Sequence, residues 1–452
     1  MGWALAAGAT AAGLAAAVVV QPAANADTDK APPPAAAPAV VEVPAVLETQ
    51  PEFDDDAGGN ADVDDPAIWV HPDDPDSSLV IGTLKDAGLS VFTLDGRQIQ
   101  RIAPPAAPRP GDAAGRFNNV DVLTDFVLGG REVDIAVTTD RGRDQLRIFT
   151  IDPAKAAAGG SPLTDVTDPA APLLFNRNQA EVNEQATAYG LSVYHDDDDR
   201  ALALVSQELR STLGSVELTA KGTKVTYRMV RTAALPTTFD LPDGTTFTPC
   251  QEPGEQPFSE GIFVDAEEDV AYVAQETVGL RRMDPDLSDF EPELIDKVRE
   301  FGVPATFDVE ADECVVDGAD PGFGGKNLSM DIEGTTLFDA GDGQGYLLVS
   351  SQGNNTIAAY ERDGDNAFVG SFRIADGPGD VDSVEETDGM AVTNVPLGQF
   401  TEGLLVTQDG SNTPDVAGGE GGEPRDNSNV KFTSWGTVAA AFDPPLDVNP
   451  DD

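Results

Sequence analysis

Short apolar runs separated by polar turns make up most of the chain, and segments with helical spacing are scarce. Pairs of such runs include Val133–Thr138 with Leu146–Ile151, and Tyr346–Ser351 with Thr356–Tyr360. The runs are rich in aliphatic and aromatic residues and are bounded by Gly, Asp or Asn, which is typical of antiparallel strands joined by tight turns. The pattern therefore predicts an all-β protein built from consecutive hairpins.

The strand pattern repeats loosely along the chain. Each unit has an acidic or glycine-containing start, a short apolar strand, an acidic turn, a stronger apolar strand and then a third strand. Six units begin near Asp65, Asn119, Tyr189, Glu260, Glu333 and Thr387. The span 48–443 has 396 residues, or 66 per unit, which accommodates about four strands with their loops. A β-helix would need a shorter and stricter period, and a sandwich would not repeat so evenly. We therefore predict a six-bladed β-propeller.

The two ends of the chain differ from the repeats. Residues 3–20 are apolar and rich in alanine, and Ala24-Asn25-Ala26 precedes Asp27, as in a signal peptide with its cleavage site. Because a positively charged start is missing, an N-terminal anchor is the alternative. The composition divides the chain into a signal peptide (1–26), a Pro/Ala-rich linker (27–47), the propeller domain (48–443) and an acidic tail (444–452). We expect a secreted protein.

Acidic residues number 80 against 27 basic residues, which gives a formal net charge of −53. Such a surface excludes nucleic acid as a partner, because nucleic-acid binding relies on basic patches, and it favours partnership with cations. No later apolar run is long enough to span a membrane, so we expect no membrane contact after signal cleavage. A closed propeller has no open sheet edge that needs a partner chain, so we expect a monomer.

The chain has two cysteines, Cys250 and Cys314, and each lies in a long insertion, 236–257 and 310–327. In a secreted protein a disulfide between them is the favoured interpretation, and two thiols in unrelated loops are the alternative. Neither cysteine has the CxxC spacing of a zinc or redox site.

Carboxylates stand at most of the six unit starts, which a propeller brings together at one end of its central channel. They are Asp64, Asp65, Asp121, Glu260, Asp331, Glu333 and Asp388. Converging like charges are costly without a counter-charge, and Ca²⁺ prefers six to eight oxygen ligands of this kind. The set therefore predicts several Ca²⁺ ions at the channel mouth. The alternative for any single residue is that it caps a strand-entry turn.

Lys85 and Arg141 are candidate phosphate-binding groups because each follows a predicted strand near this acidic mouth. With only two histidines in the chain, dinuclear sites rich in histidine are excluded, and the RHGxRxP and CX5R phosphatase motifs are absent. What remains is attack by a metal-activated water without a covalent intermediate. Two alternatives stay open at this point: a calcium-stabilised binding module without activity, and a calcium-dependent propeller lactonase or esterase.

Several segments resemble the β-propeller phytases, the alkaline calcium-dependent phytases. They are DDPAIWVHP (64–72), IGTLKDAGLSVFTLDGRQIQ (81–100), EGIFVDAEEDVAYVAQE (260–276), DIEGTTLF (331–338) and GYLLVSSQGNN (345–355). The resemblance runs from about Glu48 to Trp435, nearly the whole mature chain. It implies a six-bladed propeller that hydrolyses phytate, myo-inositol hexakisphosphate, with several Ca²⁺ ions.

The resemblance also implies roles for individual residues. Calcium positions match Glu48, Asp64, Asp65, Asp121, Glu260, Glu276, Asp331, Glu333, Gln352, Asp382 and Asp388. Phosphate-contacting positions match Lys85, Arg141 and Tyr189, and Asn119 is expected to help at the adjacent phosphate. The expected reaction is in-line attack by a calcium-bound water that Glu260 or Asp331 orients, with a neutral-to-alkaline optimum. The family often has a lysine in the segment corresponding to SQELRS (206–211), where Arg210 is the candidate replacement.

Overall fold

A computed structural model describes residues 40–55, 57–311, 313–419 and 424–448. The predicted signal peptide, most of the predicted linker and the end of the predicted acidic tail lie outside the described residues. The described residues belong to one compact unit, which spans Pro38–Asp452.

Six antiparallel sheets follow one another along the chain, which confirms the predicted six-bladed propeller. Blade one contains Pro66–Trp69, Leu79–Thr83, Leu89–Thr93 and Gln98–Ile102. Blade two contains Phe117–Leu128, Arg131–Asp140, Gln145–Ile151 and Leu163–Asp165. Blade three contains Ala188–His195, Ala201–Gln207, Thr212–Lys221 and Lys224–Ala234. Blade four contains Ser259–Asp265, Val270–Gln275, Gly279–Met283 and Glu293–Lys297. Blade five contains Ile332–Gly341, Gln344–Ser351, Thr356–Glu361 and Phe368–Ala375. Blade six contains Met390–Thr393, Leu404–Asp409 and Asn427–Ser434.

The N-terminal segment adds strands to the last two blades. Val41–Pro44 pairs in parallel with the outer strand of blade five, and Leu47–Glu48 pairs with Asn427–Ser434 of blade six. Glu52–Phe53 extends the pairing on that same strand. Residues 41–44 and 47, which the composition assigned to the linker, therefore form strands of the last two blades. Their hydrogen bonds to neighbouring strands, rather than their proline content, determine their structure.

Each interface between neighbouring blades has its own hydrophobic cluster. The cluster between blades two and three, for example, includes Leu123, Ile148, Val205 and Tyr227. Each remaining pair of neighbours in the ring, including blades six and one, shares a cluster of the same kind. Because a blade is covered on both faces, a middle strand such as Leu79–Thr83 can be buried along its whole length.

A cavity of about 180 Å³ lies along the central axis and is lined by the first strands of all six blades. Polar groups link these first strands from blade to blade. The Asp65 carboxylate accepts from the Val120 amide at 3.0 Å, and the Asp121 carboxylate accepts from the Val193 amide at 2.8 Å. The carbonyl oxygen of Asp388 accepts from the Gly334 amide at 2.7 Å. These bonds fix the relative positions of the strand starts, where the candidate residues lie.

Three two-stranded hairpins lie outside the blades: Phe239–Asp240 with Thr246–Phe247, Ala305–Asp308 with Glu313–Val316, and Val416–Ala417 with Pro424–Arg425. The predicted disulfide is confirmed, because Cys250 and Cys314 are bonded with their Cα atoms 6.0 Å apart. It joins the insertion before blade four to the one before blade five.

Helices are few and short. The described ones are Pro75–Ser77, Pro153–Ala157, Gln179–Val182, Gln352–Asn354 and Trp435–Ala440. None of these described helices has the length and hydropathy needed to cross a membrane. Beyond the last of them, Leu446 is buried and the Asp447 carbonyl oxygen accepts from the Trp435 indole at 2.9 Å. The first residues of the predicted acidic tail are therefore part of the fold.

Candidate active site

The candidate residues come from two kinds of position in the blades. One is the start of a first strand, and the other is the residue just after the second strand. Because these two strands are antiparallel, both positions lie at the same end of the hairpin. In blades two to five this second position holds Arg141, Glu208, Glu276 and Gln352, and in blade one Lys85 lies one residue further along, after Leu84. One end of the propeller therefore receives two side chains from each of these hairpins.

A β-bulge recurs at the start of the first strand in blades two to five. The pairing register shifts between Phe117 and Val120, Ala188 and Leu191, Ser259 and Ile262, and Ile332 and Thr335. The residues inside these bulges are Asn118-Asn119, Tyr189-Gly190, Glu260-Gly261 and Glu333-Gly334. The residues of a bulge are not paired in the regular hydrogen-bond ladder between the strands, and the bulge changes the direction in which their side chains point. The bulges therefore direct the candidate side chains away from the regular in-and-out alternation of the strands.

Glycine follows the candidate side chain in three of these bulges because the next blade lies very close. A Cβ atom on Gly190 would lie 1.9 Å from the carbonyl oxygen of Glu260, and one on Gly261 would lie 2.0 Å from that of Glu333. Real Cβ atoms are not found at such distances, so only glycine fits. The close contact brings the Glu260 and Glu333 bulges of successive blades next to each other.

Three carboxylates meet where blades four and five adjoin. Ligand oxygens of Glu260, Glu276 and Glu333 all lie within 4.8 Å of one another, and each residue is less than a tenth exposed. One oxygen of Glu276 and one of Glu333 are buried without a hydrogen-bond partner. Among the described residues, no basic side chain forms an ion pair with any of the three. Buried like charges without a counter-charge are unfavourable, so this cluster has the chemistry of a cation site.

The protonation equilibria of these groups reflect the same crowding. Burial, with the charge of Asp388, raises the pKa of Glu260 to about 7. Burial and neighbouring carboxylates raise the pKa values of Glu276 and Glu333 well above the usual range. Burial, with Glu300 and Asp388, raises the pKa of Asp331 to about 6. A bound cation would oppose these shifts by favouring the ionised carboxylates.

Lys85 lies beside this cluster in an ion-pair network. Its Nζ is 2.7 Å from Asp62 Oδ2, 3.3 Å from Asp388 Oδ2 and 3.7 Å from Asp64 Oδ1. Burial would lower the pKa of Lys85, but the charges of Asp64, Asp388 and Asp62 raise it well above its usual range. Gln352 joins the network by donating to Asp388 Oδ1 at 2.6 Å. Lys85 is therefore a permanently charged ammonium group among carboxylates.

Arg141 and Tyr189 form a second part of the site. The guanidinium of Arg141 lies 5.2 Å from the centre of the Tyr189 ring, and its Nη1 donates to Asn118 Oδ1 at 3.1 Å. Its Nη2 forms an ion pair with Glu208. Asn118 connects this part to the glutamate cluster, because its amide donates to Glu260 Oε1 at 2.6 Å.

The amide of Asn119, oriented so that its nitrogen donates, also reaches Glu260 Oε1 at 3.2 Å. Asp65 and Asp121 lie in the same ring of strand starts. Burial, opposed by the Val193 and Val122 amides, raises the pKa of Asp121 to about 6. Hydrogen bonds from backbone amides satisfy oxygens of both carboxylates, so each also links two blades.

Glu48 and Asp382, two of the predicted calcium ligands, lie around the Lys431 ammonium. The Lys431 ammonium is fully buried and lies 2.5 Å from Glu48 Oε2, 3.1 Å from Asp409 Oδ2 and 2.9 Å from Asn412 Oδ1. It also forms an ion pair with Asp382. A single internal ammonium therefore pairs with three carboxylates. Glu48 belongs to the strand Leu47–Glu48, which pairs with the last strand of blade six. The cluster therefore also connects this N-terminal strand to blade six.

The sequence analysis did not single out Asn118, Glu208 or Lys431. The position after the second strand, shared with Lys85, Arg141 and Glu276, is a signal that would have identified Glu208. Arg210, the predicted substrate-binding residue of the same segment, donates to the carbonyl oxygens of Leu209 at 2.6 Å and Gly254 at 3.2 Å. It is therefore held against the loop at Gly254.

Comparison with known proteins identifies the family of the chain. The sequence model of the Phytase family matches residues 10–237 and 305–452. A 3-phytase of Bacillus subtilis (strain 168) is 32% identical over 392 residues, which is 86% of this chain and 83% of the relative.

Similar solved structures include Chaetomium thermophilum Sqt1 bound to the N-terminus of the ribosomal protein L10, with 11% identity, a TM-score of 0.40, and coverage of 82% of this chain and 86% of that one. Another is a 6-phosphogluconolactonase homologue from Bacteroides fragilis, with 16% identity, a TM-score of 0.35, and coverage of 64% and 65%. At these scores the structural likenesses carry no functional argument. The family match and the Bacillus relative do carry a functional argument. They show that the chain belongs to the phytase family and is a metal-dependent phosphoric monoester hydrolase that acts on a small-molecule substrate.

Proposed function

We propose that this phytase hydrolyses myo-inositol hexakisphosphate at the mouth of the propeller channel and depends on Ca²⁺ for this reaction. The observation that carries the proposal is the cluster of Glu260, Glu276 and Glu333, whose ligand oxygens lie within 4.8 Å of one another without a basic partner among the described residues. The substrate class agrees with that of the relative, which is a 3-phytase.

The residues fit a hard dication. All three ligands of the cluster are carboxylates, and two of their oxygens are buried without a partner. Calcium prefers oxygen ligands in a flexible arrangement, whereas zinc prefers nitrogen and sulfur ligands, which the cluster lacks. When bound there, Ca²⁺ would supply a water of lowered pKa and positive charge for the phosphate oxygens.

The basic residues at the mouth suit the substrate phosphates. Lys85 and Arg141 are partly exposed, with 16% and 17% of their side chains accessible. Their charges would stabilise the negative charge that develops on the transferred phosphoryl group. Tyr189 stacks edge-on against Phe258, with ring centres 5.8 Å apart, and this contact holds it beneath the Arg141 guanidinium. In this arrangement the tyrosine limits the orientations that the guanidinium can adopt.

Glu260 is placed to orient the attacking water. Its Oε1 accepts from the Asn118 amide, which restrains the orientation of the carboxylate. Asp331 is the second candidate for this role and lies at the start of blade five. Burial raises its pKa to about 6.

We further propose that the mature protein is secreted and monomeric. The Cys250–Cys314 disulfide supports an oxidising compartment. The pairing of Leu47–Glu48 with the last strand of blade six closes the ring within one chain. No described sheet edge of the blades therefore depends on a second copy to complete the ring.

The test is phosphate release from myo-inositol hexakisphosphate by the mature chain, with added Ca²⁺ or with EGTA, between pH 5 and pH 9. We expect release that requires Ca²⁺ and is greatest near or above neutral pH. Lys85→Met should abolish most of the release, whereas Lys155→Met, at an exposed pair with Asp152, should leave it unchanged. Full activity in EGTA would refute the calcium dependence, and full activity of Lys85→Met would refute the phosphate-binding role.

A further inference from the structure

The carboxylate of Glu208 pairs with Nη2 of Arg141 at the candidate site. We propose that Glu208 is an internal competitor of phosphate for the Arg141 guanidinium and thereby lowers the affinity of this position for both substrate and released phosphate. The inference rests on the proposed function, in which Arg141 contacts a phosphate group of the substrate.

The donors of Arg141 are unequally used. Nη1 donates to Asn118 Oδ1 at 3.1 Å and Nη2 is paired with Glu208 Oε1, while Nε is buried without a partner. The Tyr189 ring lies against the guanidinium, 5.2 Å from ring centre to Cζ. Guanidinium groups bind phosphate and carboxylate with the same fork of N–H donors, so the two anions compete for one edge. A phosphate that takes the Nη2 donor now held by Glu208 must displace that carboxylate.

Glu208 is not an ordinary surface partner. Only 7% of the residue is exposed, and its second oxygen, Oε2, is buried without a hydrogen-bond partner. Its backbone amide donates to the Thr187 carbonyl oxygen at 2.9 Å, which anchors the residue at the end of the second strand of blade three. The carboxylate is thus held in place by the hairpin, and the ion pair has little access to screening ions.

The arrangement has a consequence for turnover. When phosphate displaces it, Glu208 remains as a buried anion next to a second anion, so binding at Arg141 is weakened. Released phosphate, a single small anion, has few other contacts that offset this cost. Myo-inositol hexakisphosphate carries several phosphate groups, so its contacts elsewhere at the mouth offset the cost of displacing Glu208 more fully than released phosphate can. Glu208 should therefore reduce product inhibition more than it reduces substrate binding.

The experiment compares Glu208→Gln with the unchanged protein in steady-state kinetics with Ca²⁺ present. The amide keeps the size of the side chain and one oxygen that accepts from Arg141, but it removes the charge. Because a hydrogen bond to a charged acceptor is stronger than one to a neutral acceptor, we expect the inhibition constant of inorganic phosphate to fall about fivefold to tenfold. The KM for substrate should fall by a smaller factor.

The matched control is Glu217→Gln, in the next strand of the same blade, where Glu217 pairs with the largely exposed Arg228. It should change neither constant. An unchanged or raised phosphate inhibition constant in Glu208→Gln would overturn the proposal, because a residue that only orients Arg141 would weaken phosphate binding when altered. If Glu208→Gln does not fold, as judged by its melting transition, Glu208→Met gives the same comparison.

Failure of the proposed function can be distinguished from failure of this inference. If the unchanged protein releases no phosphate from the substrate, calorimetric titration with inorganic phosphate in the presence of Ca²⁺ still measures the affinity at Arg141. Tighter phosphate binding by Glu208→Gln supports the competition in that case. Equal binding by the two proteins refutes it.

Discussion

Replacement of Lys431 with methionine tests how strongly the sixth blade depends on its internal ammonium group. The Lys431 side chain is 0% exposed, and the carboxylates that it contacts on Glu48, Asp382 and Asp409 are 22%, 13% and 0% exposed. Methionine has a similar length and lacks the charge. The substitution leaves three crowded carboxylates without a described basic partner in the cluster.

The expected loss follows from this burial. Removing one partner of a buried ion pair typically costs about 3–5 kcal/mol, because the other charge remains uncompensated. The unit Pro38–Asp452 has 415 residues. At about 2.1 cal/mol/K per residue, its entropy of unfolding is roughly 0.87 kcal/mol/K. The melting temperature should therefore fall by roughly 3–6 °C.

Differential scanning calorimetry at pH 8 measures this change. The control is Lys221→Met, where a largely exposed lysine pairs with the single carboxylate of Asp168, and the expected change is below about 1 °C. Adding Asp409→Asn to Lys431→Met should recover part of the loss, because one of the repelling charges is removed. A melting temperature of Lys431→Met within 1 °C of that of the unchanged protein would refute the reasoning.

Three further predictions concern the channel mouth. Glu333→Gln removes one of the three clustered carboxylates, so it should reduce phosphate release at least about a hundredfold. It should also reduce the rise in melting temperature that Ca²⁺ causes. If that rise is unchanged, Glu333 is excluded as a ligand. Gly261→Ala should lower stability by about 1–3 kcal/mol and reduce activity, because the new Cβ would lie 2.0 Å from the Glu333 carbonyl oxygen; chemical unfolding checks this, and a neutral result would show that the bulges can separate. The pKa values of Glu260 and Asp331 are raised to about 7 and about 6, so the folded protein favours their protonated carboxyl groups. Without metal, the stability that these two groups contribute is therefore present below about pH 4 and is lost as pH rises through about 6–7. The protein in EGTA should therefore melt at a lower temperature at pH 8 than at pH 5, and Ca²⁺ should stabilise it more at pH 8; the opposite order would contradict the assignment.

Competition between protons and metal links the pH dependence to function. Acid protonates the carboxylates that would hold the ion, and metal affinity falls with the loss of deprotonated ligands. The neutral-to-alkaline optimum expected from the sequence therefore has a physical basis in the raised pKa values of the cluster. It stays a prediction until activity is measured across the pH range.

The sequence by itself determined the architecture. Apolar runs alternate with Asp- and Gly-containing turns in six repeats. Each repeat needs a neighbour on both faces to bury its strands, and a closed ring of blades gives every repeat two neighbours. The carboxylates at the unit starts were visible for the same reason, since the start of every first strand lies at one end of the ring. Glu260 and Glu333 belong to this group, and the structure places them together.

Only the tertiary structure decided which charged groups are partners. Glu276 joins Glu260 because the hairpin register brings the end of a second strand beside the start of the first, and Glu333 joins them because Gly261 lets the next blade approach. The contacts of Lys431 with Glu48 and of Arg141 with Glu208 span 383 and 67 residues of sequence. No local pattern specifies such pairs, because they depend on closure of the ring and on the bulges that turn side chains toward its axis. Charge and strand position gave the candidates, and packing between blades decided which of their carboxylates lie beside an ammonium, a guanidinium, a backbone amide or one another.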